Sequence, residues 1–138
     1  MDKYLGVKLI EAEPMTEGQF HIFKDGMMPS PDSDGVPGYK VVYPDGYVSW
    51  SPKGVFEEAY RRIDDLTYGL AIEALRKGHK VARKGWNGKG MFVLFEHGKT
   101  YGDTTLSDCF LIKNTKGNYD TWVASISDTL AEDWTIVE

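Results

Sequence analysis

Thr67-Tyr68-Gly69-Leu70-Ala71-Ile72-Glu73-Ala74-Leu75-Arg76-Lys77-Gly78-His79-Lys80-Val81-Ala82-Arg83-Lys84-Gly85-Trp86-Asn87-Gly88-Lys89-Gly90-Met91-Phe92-Val93-Leu94-Phe95 reads in one run as helix, strand, glycine-rich loop and strand. Leu70, Ala71, Ala74 and Leu75 recur at helical spacing on one face. Thr67 is placed to cap that helix, and Arg76-Lys77 fall in its last turn, where cations suit the dipole. Gly78 then ends it in the left-handed conformation. His79 to Arg83 predicts a strand, and Gly85 to Gly90 a loop. Met91 to Phe95 is apolar throughout, which predicts a strand covered on both faces.

Downstream, a polar loop from Glu96 to Asp108 leads to a strand at Cys109-Phe110-Leu111-Ile112. Asn114 to Asn118 predicts a turn, and Tyr119 to Ile126 a further strand. Ser127 is expected to cap a short helical turn over Asp128 to Glu132, ahead of the final Asp133-Trp134-Thr135-Ile136-Val137. Upstream, Val7 to Ile10 alternates as a short strand ended by Glu11-Ala12-Glu13-Pro14, and Lys24 to Gly38 reads as a Gly/Pro/Asp loop. Gly38 to Tyr43, Pro44-Asp45-Gly46 and Tyr47 to Trp50 form the strongest hairpin signal in the chain. Ser51, as cap, and Pro52, at the first helical position, are expected to open a helix through Tyr60. The predicted fold class is α+β: a small antiparallel sheet with short helices, preceded by an N-terminal β-rich extension of hairpin then helix. The boundary is expected near Ile63-Asp64-Asp65, giving an extension over 1–63 and an α+β domain over 64–138.

Composition narrows the function. The 138 residues carry 16 basic and 21 acidic side chains, a net charge of -5, which argues against a general binder of nucleic-acid polymers. No apolar run approaches the ~20 residues of a membrane-spanning helix. Met1 to Val7 lacks the pattern of a signal peptide, so a soluble, cytoplasmic protein is expected. The single Cys109 excludes an internal disulfide and any cysteine-built metal site, and beside Phe110 it reads as a small buried hydrophobe. His21, His79 and His97 lie in three separate segments, none at the spacing of a helical zinc pair. Glu57-Glu58 and Asp64-Asp65 are adjacent carboxylates that point to different sides of a helix, so they read as a solvated face. Gly98-Lys99-Thr100 resembles the end of a phosphate loop, but Val93 stands where that motif needs glycine, and the tripeptide reads as a turn. No catalytic set emerges, and no metal or cofactor is expected.

Arg76 to Lys89 is the informative stretch: six cations, no acid, and a closing loop of glycines whose bare backbone can approach an anion. Trp86 offers a flat face for stacking, and Asn87 both a donor and an acceptor for a base edge. Trp122, in Thr121-Trp122-Val123-Ala124-Ser125, is a candidate second platform. Composition leaves open the alternative that both indoles are core residues and the basic run is a solvated face.

Ala74 to Phe92, together with Trp122-Val123-Ala124-Ser125 and Asp128-Thr129-Leu130-Ala131-Glu132-Asp133-Trp134, closely resembles the second Thoeris anti-defence family of phage "sponge" proteins. The resemblance runs from about Leu66 to Glu138, and the upstream part is similar to extensions on phage and prophage members. It implies a binding protein in the cytoplasm of the infected bacterial host, with no catalytic step. Its ligand would be a cyclic ADP-ribose-type signal, notably the glycocyclic form made by Thoeris TIR enzymes, held intact. Some members also bind cyclic oligonucleotides at a separate site. The resemblance further implies a homo-oligomer, typically a tetramer, with pockets where subunits meet. Carried over, the stacking residues are Trp86 and Trp122, Phe92 walls the adenine, and Asn87 and Ser125 contact ribose or phosphate. Asp128 either faces the ligand or caps the short helix, and Trp134 reads as core. Two other classes compete: a phage scaffolding protein with no nucleotide ligand, and an enzyme that cleaves a cyclic nucleotide.

Overall fold

The computed structural model describes residues 1–26 and 35–138, and these fall into two compact units, Met1–Tyr60 and Arg61–Glu138. In the first unit, strand β1 (Glu11–Pro14) is followed by helix α1 (Glu17–Asp25), strands β2 (Gly38–Val42) and β3 (Val48–Pro52), and helix α2 (Lys53–Ala59). The strands form an antiparallel sheet in the order β1-β2-β3, with Val41 buried at its centre. The hairpin is as its turn residues predict: Gly46 sits at φ 88°, the left-handed region that glycine adopts without strain.

Several expectations for this unit are corrected. The edge strand is not Val7–Ile10 but Glu11–Pro14, which pairs with Tyr39 to Val42 while Lys40 Nζ reaches Glu13 at 2.8 Å. Ladder hydrogen bonds and this ion pair hold a segment that its polarity marked as a strand end. Ser51 and Pro52 finish β3 instead of opening α2, which starts at Lys53 with no side-chain cap. Lys24 and Asp25 belong to α1, which the sequence reading did not assign, and the remainder of that expected loop lies partly outside the described residues. The signal for α1 was a capping box: Thr16 Oγ1 accepts the Gln19 N–H at 3.1 Å, and the Thr16 N–H donates to Gln19 Oε1 at 2.9 Å.

The second unit runs α3 (Tyr68–Arg76), β4 (Lys80–Arg83), β5 (Phe92–Glu96), β6 (Thr100–Tyr101), β7 (Thr104–Thr105), β8 (Cys109–Lys113), β9 (Tyr119–Thr121), α4 (Ile126–Leu130) and β10 (Trp134–Val137). Five strands make an antiparallel sheet in the order β10-β4-β5-β8-β9, and β6 with β7 forms a separate small hairpin. That hairpin lies inside the expected polar loop. Gly98-Lys99 takes no regular structure, and the turn falls at Gly102-Asp103 instead.

Helix α3 starts as its residues dictate. Thr67 Oγ1 accepts the Leu70 N–H at 3.3 Å, and Gly78 follows the last turn at φ 92°. Its apolar stripe, Ala71, Ala74 and Leu75, closes over Val81, Val93 and Trp134 to form the core, with Leu66 at the edge. Trp134 is fully buried, as read. Register then sorts the sheet into two faces, because successive side chains alternate. Val81 pairs with Val93, Val93 with Ile112, and Ile136 with Val81, all toward the helix. Ala82, Phe92, Leu94 and Leu111 therefore point to the other face. The two sides of β5 are covered unequally: the helix seals Val93, while Phe92 lies under the Lys80 and Lys113 ammonium groups, 4.7 and 5.5 Å from its ring centroid.

Candidate functional site

The glycine-rich loop after β4 turns Trp86 back onto the helix side of the sheet. There its ring meets Trp134 edge to face at 5.4 Å between centroids, and Trp122 at 6.5 Å with planes 70° apart. Trp122 in turn packs on Trp134 at 5.9 Å and on Phe110 at 6.2 Å. Trp86 and Trp122 are half-buried, so each has one side in the core and part of its ring at the surface. With planes this far from parallel, the two rings do not clamp one base between them inside a single chain. Asn87, Lys84 and Lys89 project as exposed side chains from the same loop region.

Trp122 leaves the sheet because β9 ends at Thr121, five residues before the expected end of that strand at Ile126. Its N–H still donates to the Phe110 carbonyl at 2.8 Å, and the chain then breaks away to start α4. The cap of α4 is Ser125 and not Ser127. Ser125 Oγ accepts the Asp128 N–H at 3.1 Å, and the Ser125 N–H donates to Asp128 Oδ2 at 3.1 Å. Both serines have the right chemistry, but only Ser125 has an acid three residues on to close the box. Ser125 and Asp128 are thus engaged with each other.

Asp128 is buried and meets Arg83, whose Nη1 donates to Asp128 Oδ1 at 3.0 Å. Arg83 Nε donates to Asp133 Oδ1 at 2.9 Å, and Asp133 Oδ2 accepts the Gly85 N–H at 2.9 Å. Burial works to raise the Asp128 pKa, but hydrogen bonds from Ser125 and Arg83 outweigh it and hold the carboxyl below the usual range. Asp133 is held low chiefly by the Arg83 hydrogen bond, against some desolvation, with the Gly85 N–H adding to the effect. The same two carboxylates, Asp133 first, push the Arg83 pKa up. Asp133 was not singled out from the sequence, although it stands in the Ala131-Glu132-Asp133-Trp134 ending. Nothing in its spacing joins it to Arg83, 50 residues earlier.

Phe92 does not join the group. It is buried on the opposite face of the sheet, where its ring meets Tyr119 at 6.3 Å. One chain therefore brings Trp86, Trp122, Ser125 and Asp128 to one side and leaves Phe92 on the other, with Asn87 exposed in the loop beside Trp86. Cys109 is half-buried, and no cluster of three or more metal-ligating side chains occurs among the described residues.

Fold and site together define a small α+β domain that presents an aromatic, lysine-flanked glycine loop between its inner strands β4 and β5. Residues 66–137 match the model of the Tad2-like family, the Thoeris anti-defense 2-like domain. The Thoeris anti-defense 2 protein of Bacillus phage SP01 is 34% identical over 84 residues, covering 52% of this chain and 94% of that protein. The chain belongs to the Thoeris anti-defense 2-like family. No helix among the described residues is long and apolar enough to cross a membrane.

Proposed function

We propose that this protein blocks Thoeris immunity by binding a cyclic ADP-ribose-type signal, the glycocyclic form in particular, and sequestering it without cleavage in the cytoplasm of the infected bacterium. The observation that carries this reading is the pair of half-buried indoles, Trp86 and Trp122, anchored edge to face beside an exposed Asn87 in a family of anti-defence proteins. An indole with its back in the core and its front at the surface is a rigid stacking platform, worth about 1–3 kcal/mol per base. Exposed Lys84 and Lys89 and the bare loop backbone suit a pyrophosphate.

The pocket is completed by a second copy of the chain. A nucleotide of this size needs most of its surface enclosed, and Trp86 and Phe92 lie on opposite faces of one sheet. In a symmetric homo-oligomer, with a tetramer as the proposed form, Phe92 of one copy can wall the adenine stacked on Trp86 of another. Residues 64–138 are the ligand-binding part. Cyclic oligonucleotides are candidate second ligands.

One experiment separates this reading from its competitors. The protein is incubated with glycocyclic ADP-ribose, washed and heated, and the released material is analysed by mass spectrometry. Intact signal supports sequestration, altered signal means a cleaving enzyme, and no retained signal means a scaffolding role. Light scattering on dilution, with and without nucleotide, tests the assembly. A monomer that binds at full affinity would remove the shared pocket.

A further inference from the structure

We infer that Arg83, with Asp133 and Asp128, is a latch that sets the Trp86 loop against the Trp122–Ser125 segment, so that Arg83 is a positioning residue and not a phosphate contact. This rests on the ligand reading above for its purpose, but not for its geometry. The hydrogen bonds form one unbroken chain. The Gly85 N–H donates to Asp133, Arg83 bridges Asp133 and Asp128, and Asp128 accepts the Ser125 N–H. Each end of the chain lands on backbone: Gly85 adjoins Trp86, and Ser125 lies three residues beyond Trp122.

Trp134 fills the space between the two segments. Its indole N–H donates to the Asp128 carbonyl at 2.9 Å, and both other indoles pack on its ring. The Lys84 N–H also donates to the Asp133 carbonyl at 3.2 Å, and the Trp86 N–H to the Arg83 carbonyl at 3.3 Å. An ordinary surface ion pair joins two side chains that are free to move. This one joins the backbones of two loops, and its side chains are only 21% (Arg83), 12% (Asp128) and 32% (Asp133) exposed.

The charge arithmetic argues against a phosphate role for Arg83. One guanidinium faces two carboxylates, so the latch carries net negative charge and its cation is already neutralised. A pyrophosphate would be drawn to the exposed Lys84 and Lys89; the Asp64 carboxylate near Lys84 is already ion-paired to Arg62. A planar fork is needed to bridge two acids at once, and a lysine ammonium on a flexible stem cannot reproduce it.

The test uses Arg83→Lys, which keeps the charge and loses the fork, and Asp133→Ala, which removes the acceptor for Gly85. Amide hydrogen exchange is first measured without ligand. The latch predicts about tenfold faster exchange at Gly85 in either variant, because Asp133→Ala removes its acceptor and Arg83→Lys releases the carboxylate that accepts from it, a change of about 1.4 kcal/mol, with the Val93 amide unchanged. Affinity for glycocyclic ADP-ribose is then measured across salt. Arg83→Lys is expected to weaken binding about tenfold with the same salt slope as the parent, whereas Lys84→Ala flattens the slope. Unchanged Gly85 exchange in a folded variant would overturn the latch, and so would a flatter salt slope in an Arg83 variant. Should one variant fail to fold, the other carries the same exchange readout. If the parent holds no nucleotide, the functional reading fails, while the ligand-free exchange still decides the latch.

Discussion

Trp86 and Trp122 are 36 positions apart in the chain and meet edge to face at 6.5 Å, with Trp134 touching both. The contact gives each indole two duties under the proposed function, since the edge buried against its neighbours stabilises the second unit and the outer part is where the proposed nucleotide would stack. Mutations here are therefore expected to report on both, and the two effects must be measured separately.

Trp86→Ala and Trp122→Ala are each expected to weaken nucleotide binding by about 1–3 kcal/mol, the value of a lost stacking platform. Trp122→Ala should also lower the melting temperature, because it vacates contacts with Phe110 and Trp134. Calorimetric titration beside thermal unfolding of each variant checks this. Full affinity in a folded Trp86→Ala protein would end the assignment of that ring.

Trp134 is expected to be the most costly single truncation. It is fully buried, and Trp134→Ala should destabilise the second unit by about 3–5 kcal/mol. Trp134→Phe keeps most of the volume but orphans the Asp128 carbonyl, so a loss of about 1–3 kcal/mol is expected. Denaturant unfolding of both variants measures the difference. Equal stability of Trp134→Phe and the parent would show that the indole hydrogen bond contributes nothing.

Acid should loosen the site. Asp128 and Asp133 both have folded pKa values below the ordinary carboxylate value of 3.8. Their contribution to stability is therefore complete above that value and is lost as pH falls through the lower folded values. Unfolding free energy is expected to decline below about pH 4 and to be insensitive to these two groups from about pH 5 to 8. Asp133→Asn should reduce the acid-limb slope measured by chemical unfolding at stepped pH. An identical slope in that variant would mean that Asp133 does not titrate in this range.

Raised salt should weaken binding of a pyrophosphate-bearing ligand through Lys84 and Lys89, because exposed charges more than about 10 Å apart are screened at 0.1 M and closer pairs are weakened. Titrations at low and high ionic strength test this. Affinity independent of salt would leave backbone donors and stacking as the whole of the interaction.

The locally encoded elements were legible in the sequence because their determinants lie within a few residues of one another. Thr67, the stripe of Ala71, Ala74 and Leu75, and Gly78 define α3 from cap to end, and Pro44-Asp45-Gly46 defines the hairpin between β2 and β3. The Trp86 loop and the core position of Trp134 were also readable from local pattern and family resemblance. The tertiary structure alone decided three things. Strand register placed Phe92 on the face away from Trp86, since a one-residue change of parity reverses a side chain's direction. Thr121 ended β9, which freed Trp122 to pack on Trp134 and made Ser125 the cap. Finally, Arg83 met acids 45 and 50 residues away. A charge in a basic run looks solvent-facing until folding fixes what lies opposite, and that choice belongs to sheet order and packing, not to sequence spacing.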